Sequence, residues 1–126
     1  MRGKIQPISI SELFNKIEEL NELVNKLVVN IDEYDISDYI REVANIHYKL
    51  TVLHPFNDGN GRISRAFMNW LLRLKGLCPI YIDSENRDVY LDSLSKIDSG
   101  DDTTELQIII IKSIIKTMAE LHNSWR

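Results

Sequence analysis

The chain has 126 residues, which suits a single domain, and its charged residues are mixed in sign with a net charge of −4. This composition argues against a nucleic-acid-binding protein, because such surfaces carry a stripe of basic residues. A single cysteine excludes an internal disulfide, no stretch is long and uncharged enough to span a membrane, and the N-terminus lacks the apolar core of a signal peptide. We therefore expect one cytoplasmic domain over residues 1–126 that contacts neither membrane nor nucleic acid.

The first half of the chain predicts two amphipathic helices. Ser9 with Glu12 three residues later, just after Pro7, is typical of a capping box. Apolar residues then recur at helical spacing, namely Leu13, Ile17, Leu20, Val24 and Leu27. After a polar link at 30–35, a second helix is expected from about 37 to 52. Its buried face would hold Ile40, Val43, Ala44, His47 and Leu50, with His47 a hydrogen-bonded core histidine rather than a ligand.

The segment 54–62, with the sequence HPFNDGNGR, concentrates the residue types that carry chemistry. Pro55 favours an extended conformation at His54 and ends the second helix there. The Gly-Asn-Gly tripeptide at 59–61 tolerates a tight turn whose N–H groups point the same way. A third helix follows, with its apolar stripe formed by Ile63, Ala66, Phe67, Trp70, Leu71 and Leu74. Its N-terminus favours an anion, because unpaired N–H groups and the positive end of the helix dipole meet there.

Four charged or titratable side chains of this region suggest a reaction class. Arg62 and Arg65 are three residues apart, so both can reach one anion, and the planar guanidinium fits phosphate oxygens. His54 can act as a general base near neutral pH. Asp58 offers a hard oxygen ligand suited to Mg²⁺, which binds few carboxylates together with substrate phosphates. Base, metal ligand and anion site together indicate phosphoryl or nucleotidyl transfer.

The rest of the chain also reads as helical. The third helix is expected to end at Gly76, and 77–82 to form a short extended linker. Further helices are expected at 86–97 and 103–122, the second capped by Asp102 with Glu105 and carrying His122 at its surface. The isoleucines of 108–115 favour strands by propensity, but length and caps favour a helix. The predicted fold class is all-α.

The segment 54–65 resembles the signature of the Fic (filamentation induced by cAMP) family, HPFx(D/E)GN(G/K)RxxR, at every specified position. The likeness extends from about Leu13 onward, including 44–50, 68–72 and 87–90. It implies a compact helical domain with the active loop between two central helices. It also implies a protein adenylyltransferase, a nucleotidyltransferase that transfers AMP from Mg-ATP to a Ser, Thr or Tyr hydroxyl of a target protein and releases pyrophosphate.

The resemblance assigns roles to individual residues. His54 would deprotonate the target hydroxyl, and Asp58 would hold the Mg²⁺ that bridges the α- and β-phosphates. The ring of Phe56 would anchor the loop in the core. The anion hole and the phosphate and nucleoside contacts would come from Gly59, Asn60, Gly61, Arg62, Ser64, Arg65 and Tyr90. Arg65 is alternatively a solvated helix residue, and Tyr90 is equally compatible with a place in the core. Asp98 stands where relatives often carry Asn.

Other activities stay open beside AMP transfer. Gly61 in place of Lys separates the chain from the Doc-type branch, which phosphorylates its target, and so weakens a kinase function without excluding it. Transfer of UMP or phosphocholine is another alternative within enzymes. A nucleotide-binding or regulatory module without activity is the alternative from a different class.

Two family features are not found in the sequence. Relatives carry a β-hairpin flap that aligns the target, and here 1–8 resembles at most its last strand. The chain is therefore expected to be a fragment of a longer protein or to dock targets by another route. The inhibitory pattern (S/T)xxxE(G/N) has no match, since 117–120 is one residue too short. Inhibition would then need another segment or a separate antitoxin-like chain.

Overall fold

A computed structural model describes residues 9–53 and 60–124 of the protein. Over these ranges the secondary structure is helical, with no strand, which confirms the all-α prediction. The helices are α1 (Ile10–Val29), α2 (Ile36–Leu53), α3 (Asn60–Leu74), α4 (Arg87–Asp98) and α5 (Thr104–Ser124), with a 3₁₀ turn at Ile31–Glu33. Among the described residues, no helix is long and apolar enough to cross a membrane.

Helix α1 begins at the predicted cap. The hydroxyl of Ser9 accepts the backbone N–H of Glu12 at 3.1 Å, which satisfies one of the unpaired donors of the first turn. The apolar stripe is buried only toward the C-terminal end of the helix, where Leu27 is fully enclosed. Ile17 was predicted on the packed face, and its side chain is 40% exposed, because α1 packs on α2 mainly through its second half.

Helix α2 is the central helix of the core. It begins after Asp35, whose carboxylate accepts the N–H of Asp38 at 2.7 Å. Four of the five residues predicted for its inner face are buried, and Leu50 is partly exposed. The face is wider than predicted, since α2 contacts α1, α3 and α5 and buries residues on several sides: Tyr39, Ile40, Val43, Ala44, Ile46, His47, Thr51 and Leu53.

Helix α3 lies against α2 and ends close to Gly76, as the sequence predicted. Gly76 has a φ of +80°, and the N–H groups of Gly76 and Leu77 bond to the carbonyls of Arg73 and Leu72, both at 2.9 Å. This pairing is a Schellman motif, in which a left-handed residue lets the chain reverse and satisfies the last carbonyls. Tyr39 of α2 also stabilises this end of α3, because its hydroxyl donates a hydrogen bond to the carbonyl of Leu71 at 2.6 Å.

The linker between α3 and α4 has no regular secondary structure at 77–83 and enters the core at Ile80. Ile80 is 2% exposed. The side-chain amide of Asn69 donates to the carbonyl of Ile80 at 2.7 Å and accepts its N–H at 2.8 Å. Nearby, the ammonium of Lys75 donates to the carbonyls of Ile31 and Tyr34 at 2.7 and 2.6 Å, which ties the α1–α2 link to the end of α3.

Helices α4 and α5 complete the core. The cap predicted from Asp102 and Glu105 is wrong in detail: the carboxylate of Asp102 accepts the N–H of Thr104 at 3.0 Å, and Glu105 instead pairs with Lys96 of α4 at 2.9 Å. Asp102 lies one residue before the N-cap position of α5, so its carboxylate reaches the N–H of Thr104. Glu105 can therefore form its ion pair between α4 and α5. The isoleucine-rich stretch is helical, with Ile110 and Ile114 inside the core.

Candidate active site at the start of helix α3

The expected catalytic segment connects the two helices that pack most closely. Helix α2 ends at Leu53 and α3 begins at Asn60, so the family-type placement of the loop between two central helices agrees with the fold. Residues 54–59 and the side chain of Asn60 lie outside the described part of the structure. The roles of His54, Phe56, Asp58, Gly59 and Asn60 therefore stay predictions.

The first two turns of α3 carry the two arginines that were predicted to bind phosphate. Arg62 is exposed and Arg65 is half-buried, and their spacing of three residues places them on one side of the helix. A Cβ built on Gly61 would lie 2.9 Å from Nη1 of Arg65. The Arg65 guanidinium therefore folds back over Gly61, toward the N-terminal end of the helix, in the direction that helical side chains prefer.

Whether these two arginines can bind an anion depends on whether acidic side chains already pair with them. Within residues 9–53 and 60–124, neither Arg62 nor Arg65 forms a salt bridge. The helix N-terminus adds partial positive charge to theirs. Guanidinium groups aimed at such an end can donate several charge-assisted hydrogen bonds to a polyphosphate. Among the described residues, this turn is the best candidate for anion binding.

Ser64 lies in the same turn but faces inward. Its side chain is 1% exposed, and its hydroxyl donates to the carbonyl of Gly61 at 3.1 Å. This bond supports the backbone of the turn. The contribution of its hydroxyl to a bound phosphate stays a prediction.

Tyr90 and Asp98, on α4, are both engaged with α2. Tyr90 is 4% exposed, and its hydroxyl lies 2.6 Å from Nε2 of His47, so the structure places it in the core. Its place at the border of a nucleoside pocket is still a prediction. Asp98 accepts the hydroxyl of Tyr48 at 2.6 Å. The predicted core position of His47 is confirmed, since its side chain is 1% exposed and both ring nitrogens have partners.

A groove that the sequence did not predict lies between two other helical faces. It has a volume of about 510 Å³, and both α1 and the C-terminal half of α2 line it. Leu20, Leu23, Val52 and Leu53 give it a largely apolar lining, and lysines and glutamates also contribute to it. An apolar groove does not suit a triphosphate, so among the described residues the start of α3 is the better candidate for binding an anion. A groove formed by the packing of two helices leaves no local sequence signal.

Comparison with known proteins supports the likeness seen in the motif. The model of the Fic/DOC family matches residues 4–72. A Protein adenylyltransferase Fic from Culex quinquefasciatus is 41% identical over 73 residues, which cover 58% of this chain and 15% of that protein. Protein adenylyltransferase fic-1 from Caenorhabditis elegans is 32% identical over 100 residues, 79% of this chain and 18% of that protein. The chain thus spans less than a fifth of the length of these relatives.

Proposed function

This chain belongs to the Fic/DOC family, and on that premise we propose that it is a protein adenylyltransferase. It would transfer AMP from ATP to a Ser, Thr or Tyr hydroxyl of a target protein. The observation that carries the proposal is the N-terminal end of α3, where Arg62 and Arg65 lie in the first two turns and are without acidic partners among the described residues. The names of the relatives support the choice of AMP as the transferred group.

The proposed binding mode follows from charge. ATP carries its negative charge on the phosphates, so the triphosphate is the part that the arginines and the helix N-terminus attract. Arg62 and Arg65 would hold the outer phosphates, and the N–H groups of 59–61 would contact the phosphate that reacts. Binding the leaving pyrophosphate more strongly as it gains charge favours the transition state over the ground state.

The proposed reaction is an in-line displacement at the α-phosphorus. The target hydroxyl oxygen forms a bond to Pα while the bond from Pα to the oxygen bridging to Pβ breaks, and pyrophosphate leaves with those electrons. His54 would take the hydroxyl proton, a role that is typically worth roughly 10²–10⁴ in rate. The products are an AMP-modified side chain, pyrophosphate and a protonated imidazole, which releases its proton to solvent.

Mg²⁺ belongs to the proposal through Asp58. A single carboxylate together with phosphate oxygens and water is the ligand set that Mg²⁺ prefers, so the residue type fits the ion. The ion would neutralise phosphate charge when bound. In the described ranges, no group of three His, Cys, Asp or Glu side chains is placed to hold a metal on its own. We therefore expect the metal to bind together with the nucleotide, with Asp58 as its protein ligand.

A labelling reaction tests the proposal. The chain is incubated with Mg²⁺, a cell lysate and ATP labelled at the α-phosphate, and a His54→Ala variant serves as the control. Covalent label on a protein, absent with the variant, is the expected result. Label from the γ-phosphate but not the α-phosphate would instead identify a kinase. ATP binding without any transfer would identify a nucleotide-binding module, and labelling from UTP or CDP-choline would change the transferred group.

A further inference from the structure

His47 links three helices through its ring. It lies in the middle of α2 and is 1% exposed. Its Nδ1 lies 3.2 Å from the carbonyl oxygen of Ser64, the fifth residue of α3, and its Nε2 lies 2.6 Å from the hydroxyl of Tyr90 in α4. The two bonds point in different directions from one ring, so the imidazole fixes the start of α3 relative to α4.

The partners determine which nitrogen carries the proton. A carbonyl oxygen only accepts hydrogen bonds, so Nδ1 of His47 must be the donor to Ser64. In the neutral ring Nε2 is then an acceptor, and the hydroxyl of Tyr90 donates to it. The carbonyl of Ser64 thus selects the tautomer, and the hydroxyl of Tyr90, which can donate or accept, fits that tautomer by donating to Nε2.

Ser64 occupies a sensitive position in the proposed site. It lies between Arg62 and Arg65, so the direction of its carbonyl and the directions of the two guanidinium groups depend on the same turn of backbone. The Ser64 hydroxyl also holds the carbonyl of Gly61 within that turn at 3.1 Å. A shift of this backbone would move both arginines relative to a bound phosphate, and small displacements of a binding group are costly.

We infer that His47 is a positioning residue for anion binding: by donating Nδ1–H to the Ser64 carbonyl while Tyr90 donates to Nε2, it sets the orientation of the first two turns of α3. His47 itself does not contact the phosphate. The inference rests on the proposed function for the identity of the anion. The orientation of the turn can be measured without any nucleotide.

Two substitutions separate the two bonds of the ring. The side-chain amide nitrogen of Asn occupies nearly the position of Nδ1, so His47→Asn keeps a donor for Ser64 and loses the bond to Tyr90. The side chain of Gln reaches as far as Nε2, so His47→Gln keeps an acceptor for Tyr90 and loses the donor to Ser64. Tyr39→Phe is the matched control, because it also removes one buried bond to a carbonyl of α3, at Leu71 near the opposite end.

Amide hydrogen exchange and ATP affinity are measured on the wild type and the three variants. We expect His47→Gln to speed exchange at 64–68 but not at 70–74, and to weaken ATP binding roughly fivefold, the equivalent of one lost hydrogen bond. His47→Asn should keep both properties within about twofold of the wild type. Tyr39→Phe should speed exchange at 70–74 and leave ATP affinity unchanged.

Equal losses in the Asn and Gln variants, or an ATP affinity that falls with stability in all three variants, would overturn the inference. If the wild type binds no ATP, the proposed function fails, while the exchange pattern still decides whether His47 orients the turn. Nitrogen-15 NMR of the wild-type imidazole adds a test that needs no variant. A proton on Nδ1 is expected, and a neutral ring protonated at Nε2 would refute the bond to Ser64.

Discussion

The bond between Tyr39 and α3 gives a stability prediction that can be worked out quantitatively. Tyr39 is 0% exposed and donates its hydroxyl to the carbonyl of Leu71 at 2.6 Å. Tyr39→Phe removes the hydroxyl and keeps the ring, which packs edge-on against Tyr34 with centroids 6.4 Å apart. We expect the free energy of unfolding to fall by about 1–2 kcal/mol at pH 8, because a buried carbonyl loses its partner.

The same bond should depend on pH. Burial raises the pKa of Tyr39 from 10.0 to about 12. Since the folded pKa lies above the unfolded one, the stabilisation is complete below pH 10 and is lost as the pH rises toward 12. At pH 11, ionisation of Tyr39 should have lowered the free energy of unfolding of the wild type by about 1.4 kcal/mol, which is the equivalent of one pKa unit. The Phe variant lacks this group and should show no such loss. The difference between the two proteins should therefore shrink to nearly zero at pH 11.

Urea unfolding followed by circular dichroism measures this difference at pH 8, 9, 10 and 11. The other tyrosines and the lysines titrate in both proteins, so their contributions cancel in the comparison. Tyr81→Phe is a suitable control, because Tyr81 is 69% exposed and its loss should change stability little at any of these pH values. A Tyr39→Phe effect that stays constant from pH 8 to 11 would show that the raised pKa has no part in the stability of the fold.

Three further predictions concern α3 and the linker that follows it. Arg65→Ala should weaken ATP binding, measured by calorimetry, roughly 10- to 100-fold, the equivalent of a lost charge-assisted hydrogen bond. The control is Arg73→Ala, which removes an exposed arginine in the last turn of α3 and should leave ATP binding unchanged. Equal effects of the two substitutions would contradict a local anion site. Gly76→Ala should lower stability by about 1 kcal/mol in thermal unfolding, because its φ of +80° strains a side chain, and an unchanged melting temperature would contradict this. Asn69→Ala should lower the free energy of unfolding in urea by about 2–4 kcal/mol, since the buried N–H and carbonyl of Ile80 both lose a partner. A decrease below about 0.5 kcal/mol would show that water replaces the two lost hydrogen bonds.

Local signals predicted the helices well. The cap at Ser9 and the left-handed glycine at Gly76 are both present, because each satisfies backbone groups within a few residues along the chain. The strand propensity of the isoleucines in 108–115 did not prevail, since a helix of this length can bury Ile110 and Ile114 in the core. The detail that failed, the pairing of Asp102 with Glu105, depends on a lysine of the preceding helix.

The sequence did not predict contacts between residues that are far apart along the chain. Nothing near His47 in the chain indicates that its ring nitrogens meet Ser64 and Tyr90, which are 17 and 43 residues away. The groove between α1 and α2 likewise exists only once the helices pack. For the site, the sequence predicted where the arginines stand on α3, and the roles of His54 and Asp58 rest on the motif.

The amide of Asn69 has a consequence for how the chain tolerates change in length. It gives Ile80 the two hydrogen bonds that a neighbouring β-strand would supply, so a segment without regular secondary structure is held in place inside a bundle of helices. Residues added between Gly76 and Ile80 would pull that pair apart and withdraw a buried side chain from the core. Residues added at 84–86, which are exposed, would lengthen a surface turn before α4 and break only the exposed hydrogen bonds between Asp83 and Asn86. Natural variation in length in this linker is therefore expected on its C-terminal side.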